Sequence, residues 1–139
     1  EYENRFSENN LEPIVHTPPT SVKILADGRL LWRVFDNLLN NICKYSQPRT
    51  RVYLDIRETD TNVIITMRNI SKEILNVSPD ELIERFVRGD SSRSTEGSGL
   101  GLSIAQSLTE LQNGKFDLYL DGDLFKVSLI FERMPQAFF

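Results

Sequence analysis

The chain has little of what disulfide-bonded or membrane-spanning proteins need. It has 139 residues and a single cysteine, Cys43, which excludes an internal disulfide. Cys43 lies in an apolar stretch of helical pattern, which predicts a small buried hydrophobe rather than a reactive thiol. No apolar run approaches the roughly 18–20 residues that a membrane-crossing helix needs, and the start carries no signal-peptide pattern. Because it also lacks an initiating methionine, we expect a domain cut from a longer protein.

The chain also lacks an excess of basic residues. It carries 16 Lys and Arg against 20 Asp and Glu, for a formal net charge of -4. This balance argues against nucleic-acid binding, which usually needs a basic surface. Histidine is scarce as well: His16 is the only one, it stands in a predicted strand, and we expect it to be a surface or partly buried side chain.

The remaining composition, 40% hydrophobic and 26% charged, predicts one globular domain with one core. The polar residues 1–10 predict a flexible lead-in, and residues 11–139 form the domain. Within it, hydrophobic periodicity and turn residues predict the following elements. They are a strand at 12–17, an extended piece at 22–25, a helix from Asp27 to about 46, strands at 51–57 and 63–70, a helix opening at Pro79, a loop at 87–98, a helix to about 112, and strands at 116–120 and 125–131. The order predicts an α+β fold, with helices on one face of a sheet.

Three of the seven glycines, Gly97, Gly99 and Gly101, fall within five positions, just before an apolar run of helical pattern at 100–111. Glycines let a backbone approach a ligand closely, and the N–H groups at a helix start favour an anion. The pattern predicts a phosphate site. A flexible loop before an ordinary helix start fits the glycines equally well.

A second polar pattern lies on the helix that begins near Asp27. Asn37, Asn41 and Lys44 are spaced so that they share one helical face. A carboxamide oxygen can bind Mg²⁺, and a lysine can pair with phosphate. The alternative for these residues is a solvated face or a set of capping partners.

Three segments together resemble the sensor histidine kinases. Residues 36–45 (DNLLNNICKY) resemble their N box, 82–89 (LIERFVRG) their F box, and 97–102 (GSGLGL) their second glycine box. The three occur in the order and at the separations of that family, and the resemblance covers roughly 11–133. It implies the catalytic and ATP-binding domain of such a kinase, in the superfamily of type II topoisomerase, chaperone and mismatch-repair ATPases. The implied fold is the Bergerat-type two-layer α/β sandwich, with a mixed sheet covered on one face by about three helices.

The resemblance implies that the domain binds ATP and Mg²⁺. Asn41 matches the metal-binding asparagine, Asn37 the supporting position one turn earlier, Lys44 a residue facing the phosphates and Tyr45 an aromatic beside the nucleotide. Residues 86–97 match a mobile lid, in which two arginines are either phosphate contacts or part of a solvated loop. The residues implied to bind ATP are Asn37, Asn41, Lys44, Tyr45, Asn69, Ser71, Phe86, Arg88, Arg93, Gly97, Ser98, Gly99, Leu100, Gly101 and Leu102.

The chain departs from the family at the first glycine box. Asn69 stands where the family has an aspartate that accepts the adenine amino group, Ser71 replaces the first glycine, and Glu73 lies near the second. An amide oxygen still accepts a hydrogen bond, but without charge assistance. We expect adenine to bind through Asn69, and weakly.

The expected reaction is phosphoryl transfer rather than hydrolysis. Related ATPases carry a glutamate base where this chain has Asn37, and an amide cannot accept a proton at neutral pH. Asp36 precedes Asn37 by one residue, so its side chain should point about 100° around the helix from that of Asn37. The resemblance places the phosphoacceptor histidine on a separate helical domain, so His16 is not the acceptor and the chain alone should show little autophosphorylation.

The resemblance also implies partners and a location. The expected partners are the phosphoacceptor and dimerisation domain, a second copy of the parent protein in a homodimer, and a response regulator. Nucleic acid is not an expected partner. The parent is expected to be a membrane receptor with this domain in the cytoplasm. Two alternatives are a degenerate interaction domain that has lost nucleotide, and a serine kinase or ATPase of the same superfamily.

Overall fold

The computed structural model describes residues 2–18, 24, 26–88 and 101–133, with the backbone alone at 85–88. Nine elements follow one another within these described residues. They are α1 (Tyr2–Glu8), β1 (Leu11–His16), α2 (Gly28–Tyr45), β2 (Thr50–Glu58), β3 (Asn62–Ile70), α3 (Pro79–Arg88), α4 (Gly101–Leu111), β4 (Lys115–Asp121) and β5 (Leu124–Glu132).

The strands form one five-stranded sheet in the order β1-β2-β3-β5-β4. β1 runs parallel to β2, and the other neighbours are antiparallel, so the sheet is mixed. Side chains alternate between the two faces of a strand. One face is apolar, with Val52 and Leu129 at 0% exposure, and it packs against helix residues such as Val34 and Ala105. The predicted α+β fold, with helices covering one face of a mixed sheet, is confirmed.

Helix α2 begins where the sequence predicts, and its ends are fixed on both sides. The carboxylate of Asp27 accepts hydrogen bonds from the N–H groups of Arg29 (2.9 Å) and Leu30 (3.2 Å), which is an N-cap. The Asp27 N–H donates to Oε1 of Gln112 at 2.9 Å, which joins the start of α2 to the end of α4. Because Gly101, at the start of α4, lies against Asn37 in the second half of α2, the two helices run antiparallel.

The flexible lead-in predicted at 1–10 is wrong for its helical part. Residues 2–8 form α1, and Phe6 is 3% exposed within the core. The Tyr2 hydroxyl donates to the carboxylate of Asp36, and Arg5 donates to the Asn40 side chain. Tyr2 and Phe6 are four positions apart and share a helical face, a signal that the polar residues around them conceal.

Two other predicted segments are only partly described. The extended piece at 22–25 is described at Ile24, which forms an isolated bridge with Arg133. The loop predicted at 87–98 begins too early, because residues 87 and 88 still belong to α3. The rest of that loop, residues 89–98, lies outside the described part of the chain. Within the described ranges, no helix combines the length and apolarity needed to span a membrane.

Candidate functional site

The end of α2 is tied to the end of β3 by backbone contacts. The N–H of Gln47 donates to the carbonyl of Ile70 at 2.7 Å, and that of Lys72 to the carbonyl of Tyr45 at 2.9 Å. Between them, Ser46 and Ser71 form an antiparallel bridge. The segment carrying the divergent first glycine box therefore lies directly beside the last turn of the helix that carries the predicted polar face.

Asn69 is a buried polar side chain at this junction, with 3% of its surface exposed. Strand alternation places it on the helix-facing side of β3, with Met67 and Ile65. Its Nδ2 donates to Oγ of Ser46 at 2.7 Å. Its Oδ1 is buried and has no hydrogen-bond partner among the described residues. Native proteins rarely leave a buried acceptor unpaired, because its lost hydration is not repaid. An N–H donor of a bound molecule would satisfy it.

The polar face of α2 leads from this junction toward the start of α4. Asn37 and Asn41 are half-buried and Lys44 is exposed. The Nδ2 of Asn37 donates to the carbonyl of Arg33 at 2.9 Å, and its Oδ1 has no hydrogen-bond partner among the described residues. The Lys44 ammonium lies 5.3 Å from the centroid of the Tyr45 ring, within cation–π range.

Gly101, the first residue of α4, packs against Asn37. A Cβ added at Gly101 would lie 3.5 Å from Oδ1 and 3.6 Å from the backbone oxygen of Asn37. The start of α4 and the asparagine face of α2 therefore meet, as the family resemblance implies. The N–H groups at a helix start carry a partial positive charge, so this junction favours an anion.

The hydroxyl of Ser71 is engaged in a local hydrogen bond. Its Oγ accepts a hydrogen bond from the N–H of Glu73 at 3.2 Å, and its own N–H donates to the carbonyl of Asp123 at 2.7 Å. The N–H of Leu75 donates to the carbonyl of Gly122 at 2.8 Å. The segment after β3 is thus held against the β4–β5 hairpin, and the side chain that replaces glycine serves a local turn.

Neither Asp36 nor His16 is placed to act at this junction. Asp36 is engaged by the Tyr2 hydroxyl from α1. His16 Nδ1 lies 3.1 Å from Oδ1 of Asp55, and both side chains are on the face of the sheet without helices, opposite to Asn69.

The predicted site residues fall into three groups. Asn37, Asn41, Lys44, Tyr45, Asn69, Ser71 and Gly101 lie on the elements that meet here. Leu102 is 1% exposed and belongs to the core. Arg93, Gly97, Ser98, Gly99 and Leu100 lie outside the described residues, and Phe86 and Arg88 lie where α3 is described by its backbone alone.

Ser46 is the residue at this junction that the sequence analysis missed. It is 3% exposed and caps α2, its N–H donating to the carbonyl of Ile42 at 3.0 Å. Its position immediately after the N box was the available signal. A serine at a helix end is so common that the signal has little weight without the contact to Asn69.

Comparison with known proteins supplies the family. Residues 26–133 match the family described as histidine kinase-, DNA gyrase B-, and HSP90-like ATPase. The sensor histidine kinase HprS of Escherichia coli strain K12 is 37% identical over 92 residues, which cover 66% of this chain and 20% of HprS. The chain spans between a fifth and a third of the length of the curated relatives it matches.

Solved structures share the fold. A mycobacterial sensor histidine kinase, MprB, has a TM-score of 0.75 at 23% identity, covering 96% of this chain and 91% of that one. Full-length ShkA, solved in complex with AMPPNP, has a TM-score of 0.75 at 22% identity, covering 98% of this chain and 28% of that one.

Proposed function

The chain belongs to the histidine kinase-, DNA gyrase B- and HSP90-like ATPases, and we propose that it is the ATP-binding catalytic domain of a sensor histidine kinase. It binds Mg²⁺-ATP at the junction of α2, β3 and α4. The γ-phosphate passes to a histidine on a separate helical domain, for relay to a response regulator.

The observation that carries this proposal is the unpartnered Oδ1 of Asn69. The exocyclic amino group of adenine is an N–H donor on a flat apolar ring, and it suits a buried acceptor bordered by apolar residues. The amide lacks the charge of the aspartate that the family usually has here, so the adenine contact is weaker. ShkA, which shares the fold, was solved with the ATP analogue AMPPNP, which supports the same class of ligand for this chain.

The polar face of α2 suits the phosphate end of the nucleotide. Asn41 would ligate Mg²⁺ through its amide oxygen, with Asn37 beside it and Lys44 pairing with phosphate charge. The bound metal would neutralise charge on the transferring phosphoryl group. Gly101 supports a close approach of the backbone here, because its position holds no side chain between α4 and Asn37. Tyr45, Ser71, Phe86, Arg88, Arg93, Gly97, Ser98, Gly99, Leu100 and Leu102 complete the proposed ATP-binding set.

Transfer to a histidine is favoured over hydrolysis by the groups near Asn37. The amide of Asn37 cannot take a proton from water. Asp36, the adjacent carboxylate, is turned toward α1 and bound by Tyr2. The same observations count against an ATPase or serine kinase that relies on a carboxylate base at this point of the helix.

The remaining proposals concern the parent protein. By analogy with the sensor kinases it matches, it is a homodimeric membrane receptor, and this domain lies in the cytoplasm, where ATP is available. Its partners are its own phosphoacceptor domain and a response regulator, and it does not bind nucleic acid.

Calorimetric titration of the chain with AMPPNP and Mg²⁺ tests the proposal. We expect binding, and an affinity loss of about 10- to 100-fold for Asn69→Ala, because the adenine amino group loses its acceptor. Asn62→Ala, at a half-buried asparagine at the other end of β3, is the matched control. No binding by the unaltered chain would favour the degenerate interaction domain instead.

A second experiment separates the acceptor from the kinase. The chain incubated with γ-labelled ATP should acquire no label, because His16 lies on the opposite face of the sheet from Asn69. Label on His16 would contradict the assignment of the acceptor to another domain.

A further inference from the structure

We propose that the Asn69–Ser46 pair makes the base-binding end of the site ambident, so that 6-oxopurine nucleotides such as GTP and ITP bind as well as ATP. This inference rests on the proposed function, since it assumes that the base contacts Asn69. It goes beyond that function by naming the residue pair that sets base selectivity and a second class of ligand.

A carboxylate and a carboxamide differ in what they can offer a base. An ionised aspartate presents acceptors only, so it pairs with the 6-amino group of adenine and faces the 6-oxygen of guanine unfavourably. The carboxamide of Asn69 has an acceptor on one arm and a donor on the other. The oxygen and nitrogen arms have nearly the same shape, so a 180° rotation of the amide leaves the packing around it unchanged.

Ser46 allows either arm to face the base. In the structure Nδ2 of Asn69 donates to Oγ of Ser46 at 2.7 Å, which leaves Oδ1 free. A serine hydroxyl both accepts and donates. With the amide reversed, the Ser46 hydroxyl donates to Oδ1 and Nδ2 becomes the free arm. Among the described residues, Ser46 Oγ makes no other hydrogen bond that would prevent this.

Burial makes the free arm decisive. Asn69 and Ser46 are each 3% exposed, so the atom facing the base depends on the ligand rather than on bulk water for its partner. In the observed orientation the free Oδ1 suits an amino group. In the reversed orientation the free Nδ2 suits a carbonyl oxygen. The hydrogen bond between Asn69 and Ser46 is kept in both orientations, so neither base leaves a buried polar atom of this pair without a partner.

Displacement of a fluorescent ATP analogue from the chain, with Mg²⁺ present, tests this. ATP, GTP and ITP are the competitors, and inorganic triphosphate reports binding without a base. We expect the affinities for ATP and GTP to lie within about tenfold of each other. In Asn69→Asp, GTP should weaken relative to ATP by about a further 10- to 100-fold, because the reversed orientation no longer exists.

The matched control is Asn62→Asp, which makes the same chemical change at the half-buried start of β3, far from Asn69 along the strand, and should leave the ATP-to-GTP ratio unaltered. Thermal unfolding of both variants establishes that they are folded. A ratio is the readout, because a general structural defect lowers both affinities together.

Each outcome decides one point. ATP binding with GTP more than about 100-fold weaker in the unaltered chain overturns the inference and leaves the proposed function standing. An unchanged ratio in Asn69→Asp, or inorganic triphosphate competing as well as ATP, overturns the inference because the base is then not read by Asn69. Failure of every nucleotide to bind contradicts the proposed function itself.

Discussion

The side chain of Asn69 on β3 is bonded to Oγ of Ser46 at the end of α2, and this contact uses only the amide nitrogen. The amide oxygen remains buried and unpaired among the described residues. Such a group costs stability in the absence of a ligand. The presence of this destabilising oxygen suggests that it serves ligand binding rather than folding.

Removing both polar groups should therefore separate stability from binding. In the double variant Ser46→Ala/Asn69→Leu, an apolar pair replaces the hydrogen bond and the unpaired oxygen together. Urea unfolding should show stability equal to, or about 1 kcal/mol above, that of the unaltered chain. AMPPNP titration should show an affinity loss of at least about tenfold, because the base loses its hydrogen-bond acceptor. A double variant that loses several kcal/mol of stability would indicate a structural role for the pair.

Asn41 should govern the magnesium dependence of binding. The variant Asn41→Ala should lose at least about tenfold in AMPPNP affinity with Mg²⁺ present, because a hard oxygen ligand is removed. With EDTA in place of Mg²⁺ the variant and the unaltered chain should bind alike. A loss of the same size with and without Mg²⁺ would assign Asn41 to the nucleotide rather than to the metal.

The asparagine face could be predicted because its signal is local. Asn37 and Asn41 are four positions apart on a helix whose N-cap, Asp27, is visible in the sequence, and the structure has both the helix and the cap. The approach of Gly101 to Asn37 follows only from the family resemblance, because no spacing rule relates two residues on different helices that are 64 positions apart. The Ser46–Asn69 bond, spanning 23 positions, was missed for the same reason.

The helical start of the chain illustrates a second limit. Seven residues with one buried side chain give too short a pattern to outweigh a polar composition. What fixes α1 is tertiary: Phe6 enters the core, and Tyr2 and Arg5 bond to Asp36 and Asn40 on α2. Helices this short gain little from local propensity and depend on such packing.

Phe6→Ala should consequently destabilise the domain. Truncating a buried phenylalanine typically costs about 3–5 kcal/mol, through lost burial and the cavity left behind. Urea unfolding measures the loss. Ser7→Ala, at an exposed position of the same helix, should change stability by less than about 0.5 kcal/mol. If residues 1–10 were a flexible lead-in, the two variants would behave alike.

Cys43 should be unreactive in the folded chain. Burial raises the pKa of its thiol above the ordinary value of 9.0, an effect only partly opposed by the charge of Arg5. Since the thiolate is the reactive form, labelling by a disulfide reagent at pH 8 should be slow and should accelerate in urea. Fast labelling of the native chain would contradict the buried placement.

The raised thiol pKa also has a consequence for stability. The folded state prefers the neutral thiol, so this contribution is fully present below pH 9.0, the ordinary value, and is lost as the pH rises through the folded-state pKa. Unfolding free energies of the unaltered chain and of Cys43→Ala, compared at pH 7 and pH 10, measure it. The difference between the two proteins should be smaller at pH 10.

Two glycines near the ends of α4 should respond oppositely to a methyl group. At Gly114, after the helix, an added Cβ would lie 2.6 Å from Cε1 of Phe131 and 3.0 Å from Cγ2 of Thr109. Those side chains are 1% and 0% exposed and cannot move aside. Gly114→Ala should lower the unfolding free energy by about 1–3 kcal/mol, with AMPPNP affinity of the folded protein retained.

Gly101→Ala should show the reverse pattern. The nearest atom to its added Cβ is Oδ1 of Asn37 at 3.5 Å, an ordinary contact, so stability should be unchanged or higher by up to about 1 kcal/mol. The methyl group would nevertheless stand where the start of α4 meets the asparagine face, and AMPPNP affinity should fall. Full affinity in Gly101→Ala would mean that the nucleotide does not approach the backbone at this position.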